Sequence, residues 1–87
     1  MTRRPNVGER VIYVDPKGID HDALCTIDWG RCINVVFVST DESKKDQYGR
    51  QIEREISISD ADQSGVHGRH WRFPEDPKVE YHPPRAD

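Results

Sequence analysis

ALCTIDWGRCINVVFVS, residues 23–39, decides the fold. Its first part alternates: Ala23, Cys25, Ile27 and Trp29 share one face of an extended chain, and Leu24, Thr26 and Asp28 share the other. Gly30-Arg31 reads as a two-residue hairpin loop that sets Trp29 opposite Cys32 and Cys25 opposite Val36. INVVFVS, 33–39, is apolar at both parities, the mark of a central strand covered on both sides. Upstream, RVIYV at 10–14 is β-branched and aromatic, and Asp15-Pro16-Lys17-Gly18 ends it with turn chemistry.

Downstream, STDESKKDQYG at 39–49 is too polar for a core helix and reads as a long hairpin loop or a solvated strand extension. RQIEREISIS at 50–59 then alternates, with Ile52, Arg54, Ile56 and Ile58 on one face and Gln51, Glu53, Glu55, Ser57 and Ser59 on the other. That pattern predicts a half-buried strand with its isoleucines inward. DADQSG at 60–65 is a turn cluster, and RHWRF at 69–73 turns Arg69, Trp71 and Phe73 one way, opposite His70 and Arg72. Five short strands predict an all-β fold, a closed or nearly closed five-stranded barrel. The domain is set at 1–77 and a Pro-rich flexible tail at 78–87, where only Val79 and Tyr81 offer groups that pack on an edge.

The chain is short, 87 residues, which limits it to one hydrophobic core. One third of it is charged and the mean hydropathy is −0.91, so that core is thin and leaves no room for a deep catalytic cleft. A net charge of −3 argues against a dominant electrostatic grip on nucleic acid. The sequence holds no apolar run long enough for a transmembrane helix, and MTRRPNVGER lacks the apolar segment of a secretion signal. The expected location is therefore the cytoplasm.

Cys25 and Cys32 lie roughly 13 Å apart along such a hairpin, beyond disulfide reach, and read as free thiols. His67 and His70 beside Trp71 lack the second ligand pair of a structural zinc site. Asp60, Asp62, Ser64 and Gly65 match the first half of a calcium loop, but Trp71 stands where the bidentate glutamate belongs. Neither a metal nor a cofactor is expected. Serine, histidine and aspartate never fall into a nucleophile motif, so the expectation is a protein that is not an enzyme.

Two segments combine cations with aromatic rings: Tyr48-Gly49-Arg50 beside Lys44 and Lys45, and Arg69-His70-Trp71-Arg72. Core packing of Trp71 and Phe73 under the Arg69 stem is one reading. Stacking and phosphate contact is the other, and the candidate binding residues are Tyr48, Arg50, Arg69, His70 and Arg72.

VGERVIYVDPKGIDHDALCTIDWG, 7–30, resembles the opening hairpin of an SH3-like barrel of the KOW or Tudor kind: a glycine before the first strand, a glycine-bearing turn, and small and β-branched residues in the second strand. The string from NVVFVSTDESKKDQYGRQIERE, 34–55, to VHGRHWRFPED, 66–76, is similar to small uncharacterised proteins encoded by bacteriophages and prophages. Their pattern sets a histidine after the fourth strand where this chain has Asp60. The resemblance implies a small SH3-like barrel and brings no established activity. The leading expectation is a non-enzymatic module that binds another protein, in a virion or in the host. A nucleic-acid or nucleotide binder is the second reading, a metal-dependent hydrolase a distant third, and a homo-oligomer compatible with either of the first two.

Overall fold

A computed structural model describes residues 3–61, 68–78, 80, 81 and 83. Seven strands follow in order: β1 (Arg10–Val14), β2 (Asp20–Asp28), β3 (Cys32–Val38), β4 (Lys45–Asp46), β5 (Gly49–Arg50), β6 (Ile52–Ser59) and β7 (His70–Arg72). Five of them make one antiparallel sheet in the order β6-β3-β2-β1-β7, while β4 and β5 pair as a separate small hairpin within the polar loop. The sheet curls into a half-barrel whose outer strands meet at one end through an isolated bridge, Asp60 to Trp71. The fold is all-β, as the alternation predicts. Among the described residues no helix is long and apolar enough to cross a membrane.

The tight turns follow from local chemistry. Gly18 adopts φ +82° and donates its N–H to the Asp15 carbonyl, and Asp15 Oδ1 accepts the N–H groups of Lys17 and Ile19. Gly30 adopts φ +95°, and the Trp29 N–H donates to the Cys32 carbonyl, which closes the two-residue loop. Left-handed backbone of this kind suits glycine because a Cβ crowds the following carbonyl.

The core is made by Val11, Tyr13, Ala23, Cys25, Ile33, Val35, Phe37, Ile58, Trp71 and Phe73. Two expected phases are corrected here. First, β3 is buried on one face only: Ile33, Val35 and Phe37 point in, while Val36 is half-buried and Val38 exposed. The strand covered on both faces is β1, whose Val11, Ile12, Tyr13 and Val14 are all buried. Its outer side is shielded because β7 pairs alongside and the segment carrying Tyr81 packs near His70.

Second, β6 runs with its isoleucines mostly outward. Ile52 and Ile56 are 64% and 55% exposed, and only Ile58 is sealed in the core. The cause is Ser57, at φ +58°, where the pairing with β3 slips between Ile33 and Val35. One extra residue reverses the alternation, because side chains in a strand switch face with period two. A matching slip in β2 between Cys25 and Ile27 sets Cys25 opposite Val35 rather than Val36, and turns Ile27 and Trp29 out of the core row. Both slips converge on Asn34, whose Oδ1 accepts the Ser57 N–H at 3.0 Å and the Trp29 indole N–H at 3.1 Å. The cysteines are free, as expected.

The amino-terminal arginines cap the other end of the core. The Arg3 guanidinium lies 3.6 Å from the Phe73 ring centre and pairs with Glu9 and Glu75. Arg4 forks onto Asp28 and lies 5.5 Å from the Trp71 ring centre. At the carboxyl end the described residues are not all free chain: Tyr81 donates its hydroxyl to the Pro16 carbonyl, and its ring fills the space where Gly18 has no side chain.

Candidate functional site

The five candidate binding residues do not form one basic patch. Tyr48 stands at the tip of the β4–β5 hairpin, almost wholly exposed, its N–H donating to Asp46 Oδ1. Arg50 pairs with Glu42 at 2.8 Å and donates to the Ser39 carbonyl. Arg69 lies before β7, paired with Glu55 at 3.4 Å and donating to the Ile56 carbonyl at 3.0 Å. Arg72 is held by Asp20 at 2.8 Å. His70 faces away from Trp71, as the alternation requires, yet it is buried rather than wet. Its ring sits 6.5 Å from that of Tyr81, and its Nδ1 is 3.1 Å from the Gly68 carbonyl oxygen. Each of the three arginines thus meets a carboxylate, which removes most of the surplus charge a phosphate backbone selects.

Two other surfaces depart from the ordinary pattern of a small β domain. The inner, concave side of the half-barrel should be apolar, but its upper part carries Glu53 and Glu55 of β6, turned inward by the phase of that strand. They border a concavity of about 430 Å³ lined also by Tyr13, Asp15, His21, Phe37 and Arg69. Its floor is a ring cluster, with His21 and Phe37 centres 4.7 Å apart and Tyr13 and Phe37 centres 5.2 Å apart.

The electrostatics of this concavity are set by specific partners. His21 Nε2 meets Asp15 Oδ2 at 2.8 Å. Burial pushes the Asp15 carboxyl upward, but His21 and the N–H groups of Ile19 and Lys17 outweigh it and hold the group below its usual range. Glu53 is also held low, chiefly because Ser39 donates its hydroxyl to it; burial pushes the other way, and Lys44 adds to the lowering. Burial raises the Tyr13 phenol. The Ser39 hydroxyl serves Glu53 rather than His21, so the His21–Asp15 pair has no hydroxyl nucleophile lined up with it among the described residues. Burial likewise pushes the Cys25 thiol up, which marks it as core rather than as a nucleophile.

The second surface is the convex face over β2, β3 and β6. Leu24 pairs across to Val36, and Val38 pairs across to Ile52. With Ile56 and the displaced Trp29, they present large apolar side chains to solvent, four of them more than half exposed. The periodicity of the sequence hid this face, because two slips of one residue move Ile27, Trp29, Ile52 and Ile56 out of their expected rows. Only Ser57 and Asn34 carry a local signal for it, and neither is distinctive in sequence.

Among the described residues no three His, Cys, Asp or Glu side chains converge on a metal position. The half-calcium motif lies largely outside the described residues, as do His67, Val79 and His82; Asp60 is described, and it is buried beside Arg4 at 3.8 Å. Comparison of the chain with known protein families, with curated proteins and with solved structures finds no match, so the functional reading rests on these surfaces alone.

Proposed function

We propose that this chain is a small SH3-like β module, not an enzyme, that works by binding another protein through its convex face. The observation that carries the reading is the inverted phase of β6. A domain with so little apolar sequence to spend leaves Ile52, Ile56, Val38, Leu24 and Trp29 in water on one face of the sheet, with Arg54 between the two isoleucines. Scattered exposed hydrophobics are ordinary, whereas a continuous apolar face rimmed by charge marks an interaction surface. Here Arg10 paired with Asp22 borders the face on one side, and Arg54 sits within it opposite Val36.

The nucleic-acid reading is weaker on the same structure, because Arg50, Arg69 and Arg72 are each neutralised by a carboxylate and Tyr48 stands apart at a hairpin tip. The partner class is the one the sequence resemblance implies, a virion or host protein. The test is affinity capture with nuclease-treated lysate, using the native chain and the variant Ile52→Lys/Ile56→Lys. The captured protein is identified, purified and titrated against both. Binding by the native chain that the double variant loses, while its melting temperature is kept, supports the reading. Capture that vanishes with nuclease, or that the double variant retains in full, overturns it.

A further inference from the structure

We propose that the free edge of β6 takes an extended segment of the partner as an added strand, and that this segment carries lysine or arginine at alternate positions. The proposal rests on the protein-binding reading and names the chemistry of the segment. β6 is the outermost strand of the sheet and the longest of its two edges, eight residues against three in β7. Among the described residues the backbone pairing of the two edges is limited to an isolated bridge beyond the end of β6, from Asp60 to Trp71, although the strands touch there.

The backbone groups available on that edge follow from two bonds. The Gln51 carbonyl accepts the Ser39 N–H, so the odd-numbered residues of this stretch turn their backbone groups toward β3. The Ile56 carbonyl accepts from Arg69 instead, so Ile52, Arg54 and Ile56 turn theirs to the open side. A row of outward N–H and C=O groups is a template for another strand, and main-chain pairing supplies affinity while alternate side chains supply specificity.

The side chains that would flank such a strand differ by face. On the concave side it would meet Glu53 and Glu55 beside the ring cluster of Tyr13, His21 and Phe37. Glu53 and Glu55 already meet Lys44 and Arg69 within the chain, but with Asp15 three carboxylates border the concavity against those two cations. That surplus of negative charge favours a cationic partner, and the aromatic floor adds cation–π attraction. Arg69 already makes the same contact within the chain, its guanidinium reaching the Ile56 edge carbonyl and the Glu55 carboxylate together. On the convex side the added strand would lie beside Ile52, Arg54 and Ile56, which calls for apolar residues flanking the isoleucines and no cation opposite Arg54.

Pairing with a second copy of this chain is unfavourable along the regular part of the strand: centring on Ile52 sets Arg50 opposite Arg54, and centring on Ile56 runs into the irregular backbone at Ser57. Two-fold antiparallel pairing of β6 with itself, centred on Glu53, Arg54 or Glu55, sets a glutamate opposite a glutamate in each register. Like charges directly opposite one another destabilise a pair of strands.

The test uses the full chain and a fluorescently labelled seven-residue peptide of alternating lysine and valine, read by anisotropy. Three control peptides accompany it: glutamate in place of lysine, the same composition in block order, and N-methylation of the amides on one edge. The expected result is saturable binding of the alternating lysine peptide alone, weakened about tenfold or more in Glu53→Gln/Glu55→Gln. Arg54→Pro removes an outward N–H from an edge where proline is tolerated, and is expected to abolish binding. Should that variant fail to fold, the N-methylated peptide tests the same bond. Equal binding of the block-order or N-methylated peptide, or no effect of the double glutamine variant, overturns the proposal. A silent lysine peptide alongside protein capture that depends on Ile52 and Ile56 overturns the edge site and leaves the protein-binding reading standing.

Discussion

Three isoleucines on one strand provide the sharpest test of the structure. Ile58 is fully buried, whereas Ile52 and Ile56 are more than half exposed. Truncating each to alanine changes the same atoms in very different surroundings. At Ile58 the loss combines the transfer free energy of the side chain with a cavity beside Ile33, its partner on β3; buried Ile→Ala changes cost about 2–5 kcal/mol. A domain of 87 residues has roughly 4–13 kcal/mol to lose at typical per-residue stability. Ile58→Ala should therefore consume a large part of the margin, lowering Tm by about 10–25 °C at the usual sensitivity for this size. Ile52→Ala and Ile56→Ala should cost under about 1 kcal/mol, since they lose only strand propensity and partial contact. Urea and thermal unfolding of the three variants, followed by circular dichroism, measure the contrast. If the three changes cost the same, or Ile52→Ala costs most, the reversal of phase at Ser57 is wrong and the isoleucines share the core.

Ser57→Gly should raise stability by about 0.5–1 kcal/mol, because glycine relieves the left-handed backbone, and Ser57→Val should lower it; equal melting of the two would refute the strained turn. Asp28 is held below its usual range mainly by the Arg4 fork, with the Gly30 N–H adding to it. A depressed folded pKa contributes stability above the unfolded value of about 3.9 that is lost as pH falls through the folded value. An NMR titration should therefore show Asp28 returning toward 3.9 in Arg4→Ala, with the acid limb of the stability curve losing that contribution; an unmoved Asp28 pKa would refute the pairing. Ending the chain at Pro77 should leave a folded domain that is about 1–2 kcal/mol less stable, and Tyr81→Ala should reproduce most of the loss, because Tyr81 bonds the Pro16 carbonyl and stacks by His70. A truncated chain as stable as the full one would show that this docking contributes nothing.

Much of the sheet was legible because its signals are local. The turns at Asp15–Gly18 and Gly30-Arg31 depend on glycine and aspartate chemistry within four residues, and both form as their composition dictates. Alternation located the strands but not their faces. A one-residue slip leaves the pattern in the sequence intact while reversing its meaning in space, so alternation alone puts Ile52 and Ile56 in the core and Glu53 and Glu55 in solvent, the reverse of the structure. The Arg3 and Arg4 contacts with Phe73 and Trp71 join the two ends of the domain, and no nearby residue announces them. His70 faces as alternation requires, but its cover comes from Tyr81, eleven positions on. The binding cations failed to cluster for a similar reason: their acidic partners, Glu42, Glu55 and Asp20, lie on other parts of the chain.

The two slips meet at Asn34, so one amide side chain bonds both strands at the point where their reading frames change. Moved by one residue, β6 would hide its isoleucines and display its glutamates, and the same composition would give a smooth, charged, unadhesive shell. Which side chains the convex face shows is thus a matter of punctuation rather than vocabulary. Asn34 is bonded to Trp29 on one side and to Ser57 on the other. A change at that position therefore bears on both margins of the convex face at once.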